Sequence, residues 1–171
     1  AERKVQIFKP GIDTRWGEIN KVRSHAGREK EAIPVEKASD ILSLIKEGTE
    51  IVAIDEAQFF DEGIVPVVET LLEKDIKVLV TGLPLDFRGE PFGPMPVLLA
   101  KADDIIKVTA ICTHSDNGKI CGAEATRTQR FVSGNPADYN DPLVVIGAEE
   151  QYAPRCPNHH VVPGKPTRRI R

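Results

Sequence analysis

Short apolar runs recur along the chain and predict strands. Residues 4–8 alternate between polar and apolar side chains, whereas residues 51–54 and 77–81 are mostly apolar and rich in β-branched side chains. Alternation is typical of a strand with one covered face, and continuous apolar runs are typical of strands covered on both faces. We therefore predict three strands, the last two of them buried.

Amphipathic segments between these runs predict helices. Apolar residues recur at helical spacing from Ser39 to Gly48, which indicates a short helix capped at both ends, and again around residues 65–72. We also predict a helix over residues 95–102 and a fourth strand over residues 105–111. This alternation implies an α/β fold with a parallel sheet and crossover helices. The carboxyl ends of such strands share one edge, where ligands bind.

Length and charge exclude several classes of protein. The chain has 171 residues, enough for one core and a small satellite module. Lys and Arg total 23 and Asp and Glu total 26, so the formal net charge is −3, which argues against a nucleic-acid coat protein. No apolar stretch approaches the roughly 20 residues needed to span a bilayer, and residues 1–4 do not resemble a signal peptide. We expect a cytoplasmic protein with no nucleic-acid or membrane partner.

Two carboxylates, Asp55 and Glu56, directly follow the central predicted strand. Adjacent acids at the end of a buried strand need a partner or a metal ion, because an unpaired buried charge is costly. Mg²⁺ takes oxygen ligands, keeps several waters and usually shares phosphate oxygens with a nucleotide. The pattern indicates a phosphoryl-transfer site. The alternative is a strand followed by a solvated turn.

Two loops at the same predicted edge carry further candidates. Asp13 and Arg15 follow the first strand and could serve Mg²⁺ and phosphate, since Arg offers forked donors to phosphate oxygens. An exposed turn is the alternative reading. Residues 82–94 combine Gly, Pro and charged residues with Phe87 and Phe92. These rings could stack beside a ligand, or they could form a satellite apolar cluster under a long loop.

The sequence pattern changes around residue 111, which indicates that a second module begins there. This module contains the three cysteines. Structural zinc takes four thiolate and imidazole ligands, usually supplied as two short-spaced pairs. Cys156 and His159 fit one pair, and Cys121 fits half of another. The spacing of eight residues between Cys112 and Cys121 is longer than the usual spacing of paired zinc ligands. Cys112 is therefore the candidate ligand that another residue could replace. Unligated thiols are the alternative to zinc. The candidate substitutes for Cys112 are His114 and His160.

A long loop lies between the second and third cysteines. It covers residues 130–152, begins with turn formers at residues 133–136 and ends in an apolar run at residues 142–147. A zinc-anchored loop of this length, with Tyr152 at its end, could fold over a ligand as a lid. A plain β-hairpin on a zinc ribbon is the alternative.

Three segments of the sequence carry distinctive motifs. They are residues 55–60 (DEAQFF), residues 86–94 (DFRGEPFGP), and residues 121–130 closing on Tyr152 and Cys156. Together they resemble the type II thymidine kinases, the cytosolic and tetrameric class, and the resemblance runs through nearly all 171 residues. It implies a RecA-like P-loop parallel sheet in residues 1–110 and a small zinc-ribbon or lasso domain in residues 111–171. It also implies a homotetramer that uses ATP, Mg²⁺ and structural zinc to convert thymidine to dTMP for DNA synthesis.

The same resemblance assigns roles to individual residues. Glu56 would accept the proton of the thymidine 5′-hydroxyl, Asp55 and Asp13 would hold Mg²⁺ directly or through water, and Arg15 would lie near the triphosphate. Thr128 would line the methyl pocket, a backbone stretch would bind the thymine edge, and Tyr152 would close over the deoxyribose. The implied substrate-binding residues are Phe59, Leu83, Phe87, Phe92, Thr128, Leu143, Val144, Val145, Ile146, Gly147 and Tyr152.

One motif of the family is absent from this sequence. The phosphate-binding loop needs the string G-x-x-x-x-G-K-[S/T], and the only Gly-Lys pairs, at residues 118–119 and 164–165, are followed by Ile and Pro. We expect the sequence to begin about thirty residues late on the family's plan. Residues 55–58 also resemble the acidic box of helicases, but those motors need two such cores and a basic track. A non-catalytic zinc-ribbon binding module on a degenerate P-loop scaffold is the alternative function.

Overall fold

The computed structural model describes residues 3–11, 21–23, 29–143 and 151–166. The chain divides into two compact units. The first comprises Ala1–Pro84 and Phe92–Asp103, and the second comprises Leu85–Pro91 and Asp104–Arg171. The boundary between two functional domains that the sequence analysis places after residue 110 stays a prediction.

The first unit is built on a four-stranded parallel sheet in the order β4-β1-β5-β6, which confirms the predicted α/β class. Ile54, the last residue of β5, pairs with Val80, the last residue of β6, so these two strands end side by side. An antiparallel ribbon, β2 with β3, lies outside this sheet. The elements are β1 (Val5–Pro10), β2 (Lys21–Arg23), β3 (Glu29–Glu31), β4 (Ile33–Val35), α1 (Asp40–Ser43), β5 (Ile51–Ile54), a 3-10 turn (Ala57–Phe59), α2 (Ile64–Glu73), β6 (Lys77–Val80) and α3 (Met95–Lys101).

The core of the first unit lies between the sheet and its helices. The predicted helix is confirmed as α2, but its buried face is Ile64, Val67 and Leu71. The expected face of Val65, Val68, Leu71 and Leu72 is correct only at Leu71, since Val65 and Val68 are partly buried and Leu72 is 50% exposed. The three buried residues pack with Val52 and Ile54 of the central strand in one apolar cluster. Burial of such side chains stabilises the fold by roughly 1.5–3 kcal/mol each. None of the described helices is long and apolar enough to cross a membrane.

The helix predicted from Ser39 to Gly48 is shorter than expected, because α1 is a single turn. Ser39 makes no side-chain capping bond. The buried side-chain amide of Gln6 donates to the Leu44 carbonyl at 3.0 Å and accepts from the Lys46 backbone amide at 2.8 Å. These two backbone groups would otherwise form the hydrogen bonds of the next helical turn. A side chain from a distant strand therefore ends this helix.

The predicted fourth strand is wrong over most of its length. Only Ala110–Ile111 is extended and paired, and it pairs antiparallel with Glu124–Ala125 in the second unit. The fourth strand of the parallel sheet is β4, which pairs with β1. It is three residues long and contains Pro34, which lacks an amide donor and is therefore suited to the edge of a sheet. Because β4 is so short and contains a proline, the sequence pattern does not indicate a strand there.

The second unit consists of short antiparallel strands. Its largest sheet has the order β12-β11-β13, and Ser133 and Gly134 form the tight turn between β11 and β12 with φ of 49° and 80°. Its elements are β7 (Ala110–Ile111), β8 (Ser115–Asp116), β9 (Lys119–Ile120), β10 (Glu124–Ala125), β11 (Arg127–Val132), β12 (Asn135–Pro136), β13 (Gln151–Arg155) and a 3-10 turn (Pro157–His159).

Candidate functional site

The two acids lie at the carboxyl end of β5, as the sequence predicts. The amide of Asp55 still donates to the Phe8 carbonyl at 2.9 Å, and the amide of Ala57 donates to the Thr81 carbonyl at 2.9 Å. Between them Glu56 adopts the left-handed conformation, with φ 51° and ψ 42°. This conformation costs a non-glycine residue on the order of 1–3 kcal/mol and is held here by the sheet on both sides. The turn leaves both carboxylates at the sheet edge.

Each carboxylate has a defined hydrogen-bond donor within the first unit. The Thr81 hydroxyl, just beyond β6, donates to Asp55 Oδ1. The side-chain amide of Gln58 donates to Glu56 Oε2. Charge-assisted bonds of this kind are stronger than neutral ones and fix the orientation of the acceptor. Neither donor is apparent from the sequence pattern.

Two of the predicted aromatic residues meet beside this edge. The rings of Phe59 and Phe92 lie 5.4 Å apart at an interplanar angle of 84°, an edge-to-face contact. Both rings are half-buried. Leu83, which follows β6, is 44% exposed. The first unit therefore presents apolar side chains near the acids, as small-molecule sites commonly do.

Phe87 belongs to the second unit, where it is 5% exposed. Its ring faces two guanidinium groups, with the Cζ atom of Arg130 at 5.0 Å and that of Arg88 at 5.5 Å from the ring centroid. Asp86 orders this loop by accepting the amides of Arg88 and Glu90 at 2.8 and 3.0 Å. Pattern analysis selects the phenylalanine but misses the two arginines, because cation–π contacts form between distant residues.

Thr128 and Tyr152 lie on neighbouring strands of the second unit. Arg130 on β11 pairs directly with Tyr152 on β13, and side chains alternate along a strand, so Thr128 and Tyr152 share one face of the sheet. Tyr152 is 44% exposed and Leu143 is 38% exposed. The other predicted site residues lie outside the described part of the chain: Asp13, Arg15, Val144, Val145, Ile146 and Gly147.

The four predicted metal ligands come together in the second unit. The ligand atoms of Cys112, Cys121, Cys156 and His159 all lie within 4.8 Å of one another. Cys121 Sγ is 4.0 Å from Cys156 Sγ, and His159 Nδ1 is 3.7 Å from Cys112 Sγ and 3.3 Å from Cys156 Sγ. Tetrahedral zinc with ordinary bond lengths gives S···S and S···N separations of about 3.8 and 3.6 Å. The set is compatible with a zinc site.

A short hairpin explains how Cys112 reaches the cluster across eight intervening residues. Strands β8 and β9 pair antiparallel within the gap and are joined by Asn117 and Gly118, with φ of 48° and 79°. The Cys121 amide donates to the His114 carbonyl at 2.8 Å, which closes the base of the hairpin. Asn-Gly is a strong turn signal between short strands. This dipeptide is therefore the sequence signal for the hairpin that brings Cys112 close to Cys121.

The two substitute histidines have other contacts. His114 stacks on His159, with ring centroids 4.1 Å apart. His160 Nε2 lies 2.8 Å from the Phe87 carbonyl, to which it donates, and burial lowers the pKa of His160. The cluster whose ligand atoms all lie within 4.8 Å of one another contains Cys112 and neither of these two histidines.

The ionisation of the thiols also suits a metal. Burial raises the pKa of Cys112, but hydrogen bonds that include the backbone of Cys156 and the side chain of His159 outweigh it and lower the pKa to about 6. The Ala123 backbone lowers the pKa of Cys121, whereas burial and the adjacent sulfurs outweigh that bond and raise it. A cation among these sulfurs would stabilise all three thiolates.

Comparison with known proteins shows the family of this chain. The sequence model of the thymidine kinase family matches residues 1–160. The chain is also similar to the thymidine kinase of Coprothermobacter proteolyticus, with 48% identity over 165 residues that cover 96% of this chain and 79% of that protein. The chain belongs to the thymidine kinase family. The resemblance in its motifs is thereby confirmed, and the α/β sheet with its Cys3His module is the fold of a family member.

Proposed function

We propose that this protein is a thymidine kinase that transfers the γ-phosphate of ATP to the 5′-hydroxyl of thymidine. The observation that carries the proposal is the acidic pair Asp55 and Glu56 at the carboxyl end of β5, within a chain that belongs to this family. Ligands of parallel α/β sheets bind at that edge. Nothing in the comparisons or in the described residues favours a non-catalytic zinc-ribbon module.

In the proposed reaction Glu56 is the general base. The 5′-oxygen of thymidine attacks the γ-phosphorus, the bond from that phosphorus to the β-phosphate oxygen breaks, and the hydroxyl proton passes to the Glu56 carboxylate. Asp55 and Asp13 hold Mg²⁺, which neutralises charge on the phosphates when it is bound, and Arg15 lies near the triphosphate. Such reactions depend chiefly on positioning and charge neutralisation.

The proposed nucleoside site is apolar around the ring and polar at its edges. Phe59, Phe92, Leu83 and Phe87 pack against the base and sugar, and the backbone of residues 143–147 binds the thymine edge. Backbone groups suit this purpose because they present a fixed donor and acceptor pattern. Thr128 lines the methyl pocket and Tyr152 closes over the deoxyribose. Residues 111–171 are then the zinc-anchored lasso domain. On the same resemblance we propose a cytoplasmic homotetramer.

The test is formation of thymidine monophosphate by the full-length protein with ATP, Mg²⁺ and thymidine. Glu56→Gln keeps the shape of the base but removes its ability to accept a proton, so we expect kcat to fall by about 10²- to 10⁴-fold. Thymidine affinity, measured by calorimetry, should change little. The proposal fails if the parent forms no product, or if Glu56→Gln turns over at the parental rate.

A further inference from the structure

From the contacts of Gln58 we infer that this buried glutamine is a positioning residue that holds the Glu56 carboxylate in place for proton abstraction. The inference rests on the proposed function, because it concerns the base of that reaction. Gln58 lies in the 3-10 turn Ala57–Phe59, two residues after Glu56. It is 2% exposed, which is unusual for glutamine. A buried amide must satisfy both its ends or destabilise the fold.

Both ends of the Gln58 amide are engaged. Nε2 donates to Glu56 Oε2, and Oε1 accepts the backbone amide of Leu83 at 3.0 Å. An ionised carboxylate can only accept and a backbone N–H can only donate, so these two partners allow one orientation of the amide. The NH2 group of Gln58 therefore faces the carboxylate whenever the turn is formed.

Two glycines pack closely against Gln58, one against its side chain and one against its backbone. A Cβ on Gly82 would lie 2.7 Å from Gln58 Oε1 and 2.7 Å from Met95 Sδ. A Cβ on Gly93, which has φ +48°, would collide with the Gln58 carbonyl oxygen. The approach of Gly82 leaves the Gln58 side chain little room to change rotamer, and that of Gly93 leaves its backbone little room to move. The donor that meets Glu56 is thus a fixed part of the first unit.

A fixed donor matters because the glutamate side chain is long. Without it, Glu56 has several rotatable bonds whose freedom must be lost to reach the substrate hydroxyl. Phosphoryl transfer is sensitive to such placement, and a misplacement of about 1 Å can cost about 10²-fold in rate. Gln58 does not need to touch the substrate. Its effect is exerted through Glu56.

The principal test compares two buried glutamines. Gln58→Met keeps the length of the side chain but removes the donor to Glu56, so we expect the single-turnover rate of phosphoryl transfer to fall by about 10- to 100-fold. The Kd for thymidine should stay within about twofold of the parental value. The matched control is Gln6→Met, since Gln6 is also buried but, among the residues that the structure describes, bonds Leu44, Lys46 and Thr49 instead of Glu56. It should lower the melting temperature without this loss of rate.

A second variant covers the case in which Gln58→Met does not fold. Gln58→Glu keeps an acceptor for the Leu83 amide but puts an acceptor in place of the donor to Glu56. We expect the same loss of rate in a folded protein. In the Glu56→Gln background, either substitution should cause little further loss, because the two residues act as a unit.

The outcomes separate this inference from the proposed function. If the parent forms no thymidine monophosphate, the proposed function fails. If the parent is active and both Gln58 variants keep the rate of Gln6→Met, the positioning role is overturned while the kinase assignment stands. Loss of rate that simply adds to that of Glu56→Gln would also overturn it, because independent sites are additive.

Discussion

At the scale of single residues, two adjacent carboxylates are held by donors from different parts of the first unit. Glu56 is bonded by Gln58 from within the same turn, whereas Asp55 is bonded by Thr81 from the end of the neighbouring strand. Glu56 also adopts the left-handed conformation, whereas Asp55 does not. The two adjacent acids therefore differ in backbone conformation and in hydrogen-bond donor, as the two different roles proposed for them require.

The bond between Thr81 and Asp55 yields a prediction about magnesium. Thr81→Val removes the donor, and outer-shell partners of metal-binding carboxylates typically contribute 10- to 100-fold in metal affinity. We expect the Mg²⁺ concentration for half-maximal activity to rise by about tenfold, with the KM for thymidine little changed. Steady-state kinetics at varied Mg²⁺ measures this. The control is Thr70→Val on α2, whose hydroxyl donates to the backbone carbonyl of Pro66. Identical magnesium curves for the two variants would refute the prediction.

At the scale of elements, short hairpins determine where the functional groups of the second unit lie. The β8–β9 hairpin fills the gap between Cys112 and Cys121, so the two ligands become neighbours in space. The same unit contains a second tight hairpin, β11–β12, whose turn is remote from the ligands in sequence. The two turns share a backbone conformation, with φ of 79° at Gly118 and 80° at Gly134.

These two glycines give a matched pair of variants. A Cβ at either glycine would meet no atom within 4 Å, so the cost of Gly118→Val or Gly134→Val is backbone strain of about 1–2 kcal/mol. We expect Gly118→Val to weaken zinc binding by about fivefold or more, because the strain acts on the hairpin that joins two ligands. Gly134→Val should leave zinc binding unchanged. Competition with a chromogenic chelator measures both, and equal affinities would contradict this account of the hairpin.

At the scale of the whole molecule, the two units depend on different sources of stability. The first unit has an apolar cluster between a sheet and helices. In the second, the cluster around the metal ligands contains only Cys112, Ala125 and Cys156 as buried apolar members, with Cys121 packed against them. Small modules with so little apolar core rely on metals or disulfides. The cysteines are free thiols, so we expect a metal ion held by the Cys3His cluster to supply the missing stability.

Removal of zinc should therefore affect one part of the chain selectively. After treatment with a strong chelator, we expect faster hydrogen exchange at the amides of Cys112 and Cys121, which bond within the ligand module. Amides of α2 should keep their protection. Addition of zinc, but not of magnesium, should restore the original exchange. A zinc content near zero in freshly purified protein, or unchanged exchange after chelation, would exclude a structural zinc site.

The sequence alone determined the features that depend on neighbours along the chain. The alternation of strands and helices, the acids after β5 and the short Cys156–His159 spacing are local patterns, because side-chain periodicity follows directly from backbone geometry. The family motifs are local in the same sense, and they identify the family without any coordinates.

Only the tertiary structure decided the features that join distant residues. Gln6 ends α1 through a hydrogen bond to Leu44, which is 38 residues away in sequence. The hydrogen bonds from Thr81 to Asp55 and from Leu83 to Gln58 join residues that are 26 and 25 positions apart. Cys112 joins the cluster of candidate metal ligands because a hairpin folds out of the gap that follows it. Such pairings depend on which buried polar groups find partners once the strands are in register. A linear pattern does not contain that information, because each partner lies outside the local window in which periodicity operates.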